Sequence, residues 1–125
     1  MTAAYHDFNC DQGADFDVML RLKSDNLPFD LTGYTAIMQV RSSVAASAVM
    51  IELSTENGRI TINAEAGTLT LKVDAEATAA IKVPNDRSGF PLLARYVYDL
   101  LITSPSGGTR FPLRGHFNIT AMVTR

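Results

Sequence analysis

The chain has 125 residues, the usual size of a single domain built around one core, and a single β domain over residues 1–125 is the expected organisation. Only 19% of the residues are charged, against about 25% in an average soluble domain, and the net charge is −2 with Lys and Arg scattered singly. That leaves no basic stripe for a phosphate backbone, and no apolar run reaches the roughly 18 residues of a membrane span, so neither nucleic acid nor membrane is an expected partner.

In chain order, residues 1–10 carry Tyr, His, Asp and Asn where a secretory signal needs a basic start and an apolar run, which points to assembly in the cytoplasm. Cys10 is the only cysteine, so no internal disulfide is possible and the thiol is expected as a small buried hydrophobe. Residues 5–10 read as a first strand, closed by a turn at Asp11-Gln12-Gly13. Residues 15–23 alternate cleanly, with Phe16, Val18, Leu20 and Leu22 on one face and Asp15, Asp17, Arg21 and Lys23 on the other.

A polar break over 24–33 precedes a second alternating segment at 34–41. A small-residue loop over 42–47 leads to a strand in which Val49, Ile51 and Leu53 point one way, and Asn57-Gly58 marks the next turn. Segments 59–63 and 68–73 pair as a hairpin, with Ile60 and Ile62 facing Leu69, Leu71 and Val73. Asp74 is placed to cap a short helix over 75–81, since its carboxylate can accept from the free N–H groups of the first turn.

Residues 85–93 are turn-rich and form the longest expected loop. Segment 94–103 is apolar on both faces, which predicts a central strand. Ser104 to Gly108 supplies a hairpin turn, and the last strand covers 109–123, with Pro112 at an edge or a bulge because proline cannot donate to the ladder. The expected core includes Leu20, Leu22, Met38, Val40, Leu71, Val97, Leu100, Phe117 and Ile119. The sum is an all-β, two-sheet sandwich of about eight strands with one short helix.

No catalytic constellation emerges, and the chain is not expected to be an enzyme. Nothing in the spacing brings His6 or His116 to Cys10 or to a particular serine. Asp15 and Asp17 share a strand face without a third ligand, Asp74 and Glu76 suit a helix start, and Gly107-Gly108 leads into a strand rather than a phosphate-binding helix. Neither a metal nor a cofactor is expected. Tyr5, Tyr34, Tyr96 and Tyr98 read as half-buried core residues with their hydroxyls at the rim.

The arrangement as a whole carries more. Phe8 to Phe16 around the acidic Gly13 turn, Asp30-Leu31-Thr32-Gly33-Tyr34-Thr35-Ala36, Gly58-Arg59-Ile60-Thr61-Ile62, Gly67-Thr68-Leu69-Thr70-Leu71, Tyr96-Val97-Tyr98-Asp99-Leu100 and the Gly115 strand ending Val123-Thr124-Arg125 resemble small tailed-bacteriophage virion proteins. The pattern is similar to the N-terminal domain family of phage upper baseplate proteins. The resemblance implies an immunoglobulin-like sandwich that docks onto other virion proteins; independently, the unpaired edge strands of a sandwich point to multiple copies in a symmetric assembly that pair them. Such domains usually continue into a linker or fibre, whereas the sequence ends where the sandwich should end, so a stand-alone tail, neck or capsid subunit stays open.

The first reading is therefore a virion structural protein, an adaptor in the tail or baseplate. A capsid cement or decoration protein and a carbohydrate-binding host-recognition module are the alternatives. Contacts are expected through Phe90, Pro91, Leu92 and Leu93 at the long loop, with Val44 and Val49 from the small-residue stretch, where large apolar side chains would otherwise face water.

Overall fold

The computed structural model describes residues 4–24, 26–83 and 93–124. Its strands are β1 (Ala4–Tyr5), β2 (Phe8–Asp11), β3 (Phe16–Arg21), β4 (Lys23–Ser24), β5 (Leu27–Pro28), β6 (Thr35–Arg41), β7 (Val49–Ser54), β8 (Ile60–Asn63), β9 (Thr68–Val73), β10 (Leu93–Thr103) and β11 (Thr109–Thr120), with one helix, α1 (Ala75–Ala79). A six-stranded sheet runs β7-β6-β10-β11, with β1 and β2 together completing the far edge beside β11. The second sheet is β3-β9-β8, and β4 and β5 form a small ribbon of their own. The fold is an all-β sandwich with one short helix.

Alternation along each strand decides which face is buried. From the larger sheet Met38, Val40, Leu53, Leu100, Ile102, Phe117 and Ile119 are sealed from solvent, and they meet Phe16, Leu69, Leu71 and Val73 of the smaller one. Phe16 lies 5.2 Å from Phe117 and 5.7 Å from Phe8 between ring centroids, and Phe8 lies 5.1 Å from Tyr98. These edge and tilted contacts tie the N-terminal strand to both sheets. The hairpin of β8 and β9 pairs Ile60 with Leu71 and Ile62 with Leu69, as the alternation requires.

Several boundaries differ from expectation for identifiable reasons. The first strand is split at His6 and Asp7, although β1 and β2 keep one parallel register on β11. The β4–β5 ribbon turns through Asn26, whose φ of 65° asparagine tolerates better than most residues. The helix stops at Ala79, two residues early, because the chain tightens: Ala80 N–H bonds to both Ala77 and Glu76 carbonyls and Ile81 is drawn into the core. β11 ends at Thr120 rather than residue 123, and β10 begins one residue earlier, at Leu93.

Val97 does not belong to the core. It alternates with buried Tyr96 and Tyr98, so it is half-buried on the outer face of the larger sheet. Leu20 and Leu22 are only partly buried against the core. Pro112 sits in a register shift between Leu100 and Ile102, where Phe111 and Pro112 together oppose Leu101, so the ladder does not need its missing N–H.

The β7 edge is blunted. Asn57 Nδ2 and Arg59 Nη1 both donate to the Glu52 carbonyl, at 2.9 and 3.0 Å, and the Ser54 N–H donates to Asn57 Oδ1 at 2.9 Å. Side chains thus occupy backbone groups that would otherwise invite another strand.

Candidate functional site

The outer face of the six-stranded sheet carries a groove of about 630 Å³ whose composition follows from strand register. Across the sheet, Ile37 pairs with Leu101, and Leu101 faces the bulge that presents Phe111. One step along, Gln39, Asp99, Arg114 and Tyr5 are consecutive register partners on β6, β10, β11 and β1. The next step joins Arg41, Val97 and His116, with Asp7 beside His116. One row is wholly apolar and the two others mix charge with apolar surface.

Hydrogen bonds hold one wall and a cation–π contact lies on the other. On one side Glu52 Oε1 accepts from Gln39 Nε2 at 2.8 Å, Gln39 Oε1 accepts from Arg41 Nη2 at 2.8 Å, and Arg41 Nη1 donates to the carbonyls of Ala46 and Ser47 at 2.7 and 3.1 Å. That chain fixes the loop between β6 and β7 and with it Val44, which is 91% exposed. On the other side rise Tyr5, 82% exposed, and Phe111, 41% exposed, with the Arg114 guanidinium 5.9 Å from the Phe111 ring centre.

Asp7 clasps the split strand to the sheet. Its Oδ1 accepts from the His116 N–H at 2.9 Å and lies 3.4 Å from His116 Nδ1, while Oδ2 lies 3.7 Å from Arg95 Nη2. The backbone carbonyl of His6 is taken instead by the Tyr98 hydroxyl at 2.6 Å. Burial pushes the Tyr98 hydroxyl well above its ordinary value, so it stays a donor. The same strand approaches Gly115 so closely that a Cβ there would lie 2.1 Å from the His6 carbonyl oxygen.

The hydrogen bond from the His116 backbone, aided by the His116 and Arg95 charges, holds the Asp7 carboxyl below 3.8, its ordinary value. A depressed folded-state value means the clasp's contribution is complete above the ordinary carboxylate range and is lost as pH falls through the lower, folded value. Exchange protection of the His116 amide is therefore expected to persist to pH 5 or so and to fall below about pH 4, and to be low at all pH in Asp7→Ala. Protection that is the same at every pH in both proteins would contradict this role for Asp7.

No protein family matches the chain, and no curated protein matches it. Among solved structures, the N-terminal domain of phage TP901-1 ORF48 is similar over 93% of this chain and 84% of that one, with 12% identity and a TM-score of 0.44.

Of the residues expected at contacts, Val44 rims the groove. Val49 opens β7 opposite Arg41, outside the groove lining, and Leu93 is exposed at the start of β10. Phe90, Pro91 and Leu92 lie outside the described residues. Tyr5, Ile37, Leu101 and Phe111 were not singled out as contact residues by sequence; the apolar outer side of 94–103 was the available signal for Leu101 and Val97.

His6 packs edge-on against Phe8, 4.8 Å between ring centres. His116 faces Asp7, and among the described residues no serine, threonine or cysteine hydrogen-bonds to its imidazole. Cys10 is buried and its thiol is pushed up to about 11 by desolvation, which keeps it protonated. Asp15 and Asp74 accept from the N–H groups of Ala75 and Ala77, both at 2.8 Å, as caps of α1. Among the described residues no group of three or more His, Cys, Asp or Glu is placed to hold a metal ion. Tyr96 and Tyr98 are buried with bonded hydroxyls and Tyr34 is half-buried against Phe29, whereas Tyr5 stands out in solvent.

Proposed function

We propose that the chain is a bacteriophage virion structural protein, an immunoglobulin-like docking adaptor of the tail or baseplate rather than an enzyme, present in several copies and contacting other structural proteins. The observation that carries the docking reading is the groove: three exposed large apolar side chains, Tyr5, Val44 and Phe111, rim a floor of Ile37, Val97 and Leu101. Large apolar groups gathered on one rigid sheet face are the anchors on which interface energy concentrates. The phage assignment rests on the sequence resemblance over nearly the whole chain. The low charge fits a surface covered by neighbours.

The test is particle composition. Val44→Asp together with Phe111→Ser should leave the melting curve of the free chain nearly unchanged and reduce its copies per purified virion at least about tenfold, the size expected when interface anchors are lost. A density map of the intact particle then separates an adaptor in the tail from a capsid cement protein. Normal incorporation of the double variant would remove the groove from the docking account, and absence of the wild-type chain from particles would end the virion reading.

One observation favours a carbohydrate-binding module as the second reading. Tyr5 and Phe111, two exposed aromatics, share the groove with Gln39, Asp99 and Arg114, which could bond sugar hydroxyls. A glycan array probed with the purified chain, and silent with Tyr5→Ser, would support that reading; no signal from the wild-type chain would remove it.

A further inference from the structure

Resting on the docking reading of the groove, we infer that its occupant is a second copy of this chain: the outer face of the six-stranded sheet is self-complementary about a two-fold axis running along the seam between β10 and β11. Such an axis lies in the interface parallel to the strands. It places β10 of each copy over β11 of the other and β6 over β1, while every row of side chains stays level with the same row of its partner.

The rows then match. Leu101 of one copy lies over Phe111 of the other, Asp99 over Arg114, Gln39 over Tyr5, and Arg41 over Asp7. Leu101 on Phe111 is apolar on apolar, and Asp99 on Arg114 and Arg41 on Asp7 set opposite charges together, each twice over as a two-fold contact requires, while Val97 faces His116. Asp99 and Arg114 are the decisive pair. They are register partners within the chain, yet among the described residues neither has an ion-pair partner, because the Arg114 guanidinium lies over the Phe111 ring instead. Both are exposed to solvent on the same face.

Charge complementarity is what selects a second copy as the occupant. A ligand of one sign would leave either Asp99 or Arg114 against its own sign, whereas the chain's own face supplies both at the right spacing. Shape agrees as well. Because β11 lies over β10, the rim residue Phe111 of one copy comes down on Leu101 in the floor of the other. Pairing of two copies through the β7 edge is obstructed by Asn57 and Arg59.

Sedimentation of the purified chain over a range of concentrations tests this. The wild type should show a monomer–dimer equilibrium, and Asp99→Arg or Arg114→Asp alone should weaken it at least about tenfold by setting like charges together. The double variant Asp99→Arg/Arg114→Asp reverses both signs and should return the dissociation constant to within about threefold of wild type. Circular dichroism of each variant checks that these solvent-facing changes leave the fold intact. A chain that stays monomeric up to about 1 mM, a trimer or open-ended series, single variants that dimerise as well as wild type, or a double variant that stays dissociated would each overturn the inference. A monomer in solution leaves the virion reading standing, since that reading is judged on particle composition.

Discussion

Leu100→Ala is expected to cost about 3–5 kcal/mol and to lower the melting temperature on the order of 10–20 °C. Leu100 is fully buried in the middle of β10, paired to Met38 on one side and Leu113 on the other, and it projects into the sandwich beside other fully buried side chains. Neighbouring strands fix the backbone on both sides, so the cavity left by the missing carbons cannot collapse. Leu20→Ala provides the internal comparison. It lies on β3, an edge strand of the smaller sheet, and is only partly buried, so about 1–2 kcal/mol is expected. Urea unfolding of the two variants measures the difference; equal costs would mean that the edge of the smaller sheet is packed as firmly as the centre of the larger one.

That contrast bears on what the sequence could reveal. Segments with one buried face were legible: in β9 Leu69, Leu71 and Val73 alternate with Thr70 and Lys72, and the buried apolar side chains follow directly, although Thr68 is buried beside them. Asp74 and its helix were legible because a cap is a local interaction between residues three apart. β10 was legible as a central strand but not in phase, because Val97 and Leu101 on its outer side are as apolar as its inner residues. Only its alternation with Tyr96 and Tyr98, which are buried on the inner face, removes Val97 from the core.

The groove was beyond local reading for a different reason. Its rows join residues from four strands, and Asp7 meets His116 across 109 positions of sequence. Alternation says which face a side chain takes and nothing about which strand lies beside it. The turn at Asn57 illustrates the same limit on a smaller scale. Asn-Gly signalled a turn, whereas the use of the Asn57 amide to cap the β7 edge depends on where the Glu52 carbonyl points.

Gly115→Ala is expected to displace the N-terminal strand and to destabilise the chain by about 2–4 kcal/mol, more than an ordinary overpacking change. The added Cβ would lie 2.1 Å from the carbonyl oxygen and 2.8 Å from the carbonyl carbon of His6, and backbone atoms cannot swing aside as a flexible side chain would. Relief requires β1 and β2 to move away from β11, which opens the Tyr98–His6 and His116–Asp7 hydrogen bonds and draws Phe8 from its contacts with Phe16 and Tyr98. Because Tyr5 rides on the same strand, the groove loses one wall. Hydrogen exchange should therefore report lost protection in Phe8–Asp11 and at His116 while Leu69 and Leu71 stay protected, and limited proteolysis should cut within the first ten or so residues of the variant only. An alanine variant with wild-type stability and an N-terminus still protected would show that β1 and β2 accommodate the methyl by sliding, and that the close approach at Gly115 does not hold the strand in place.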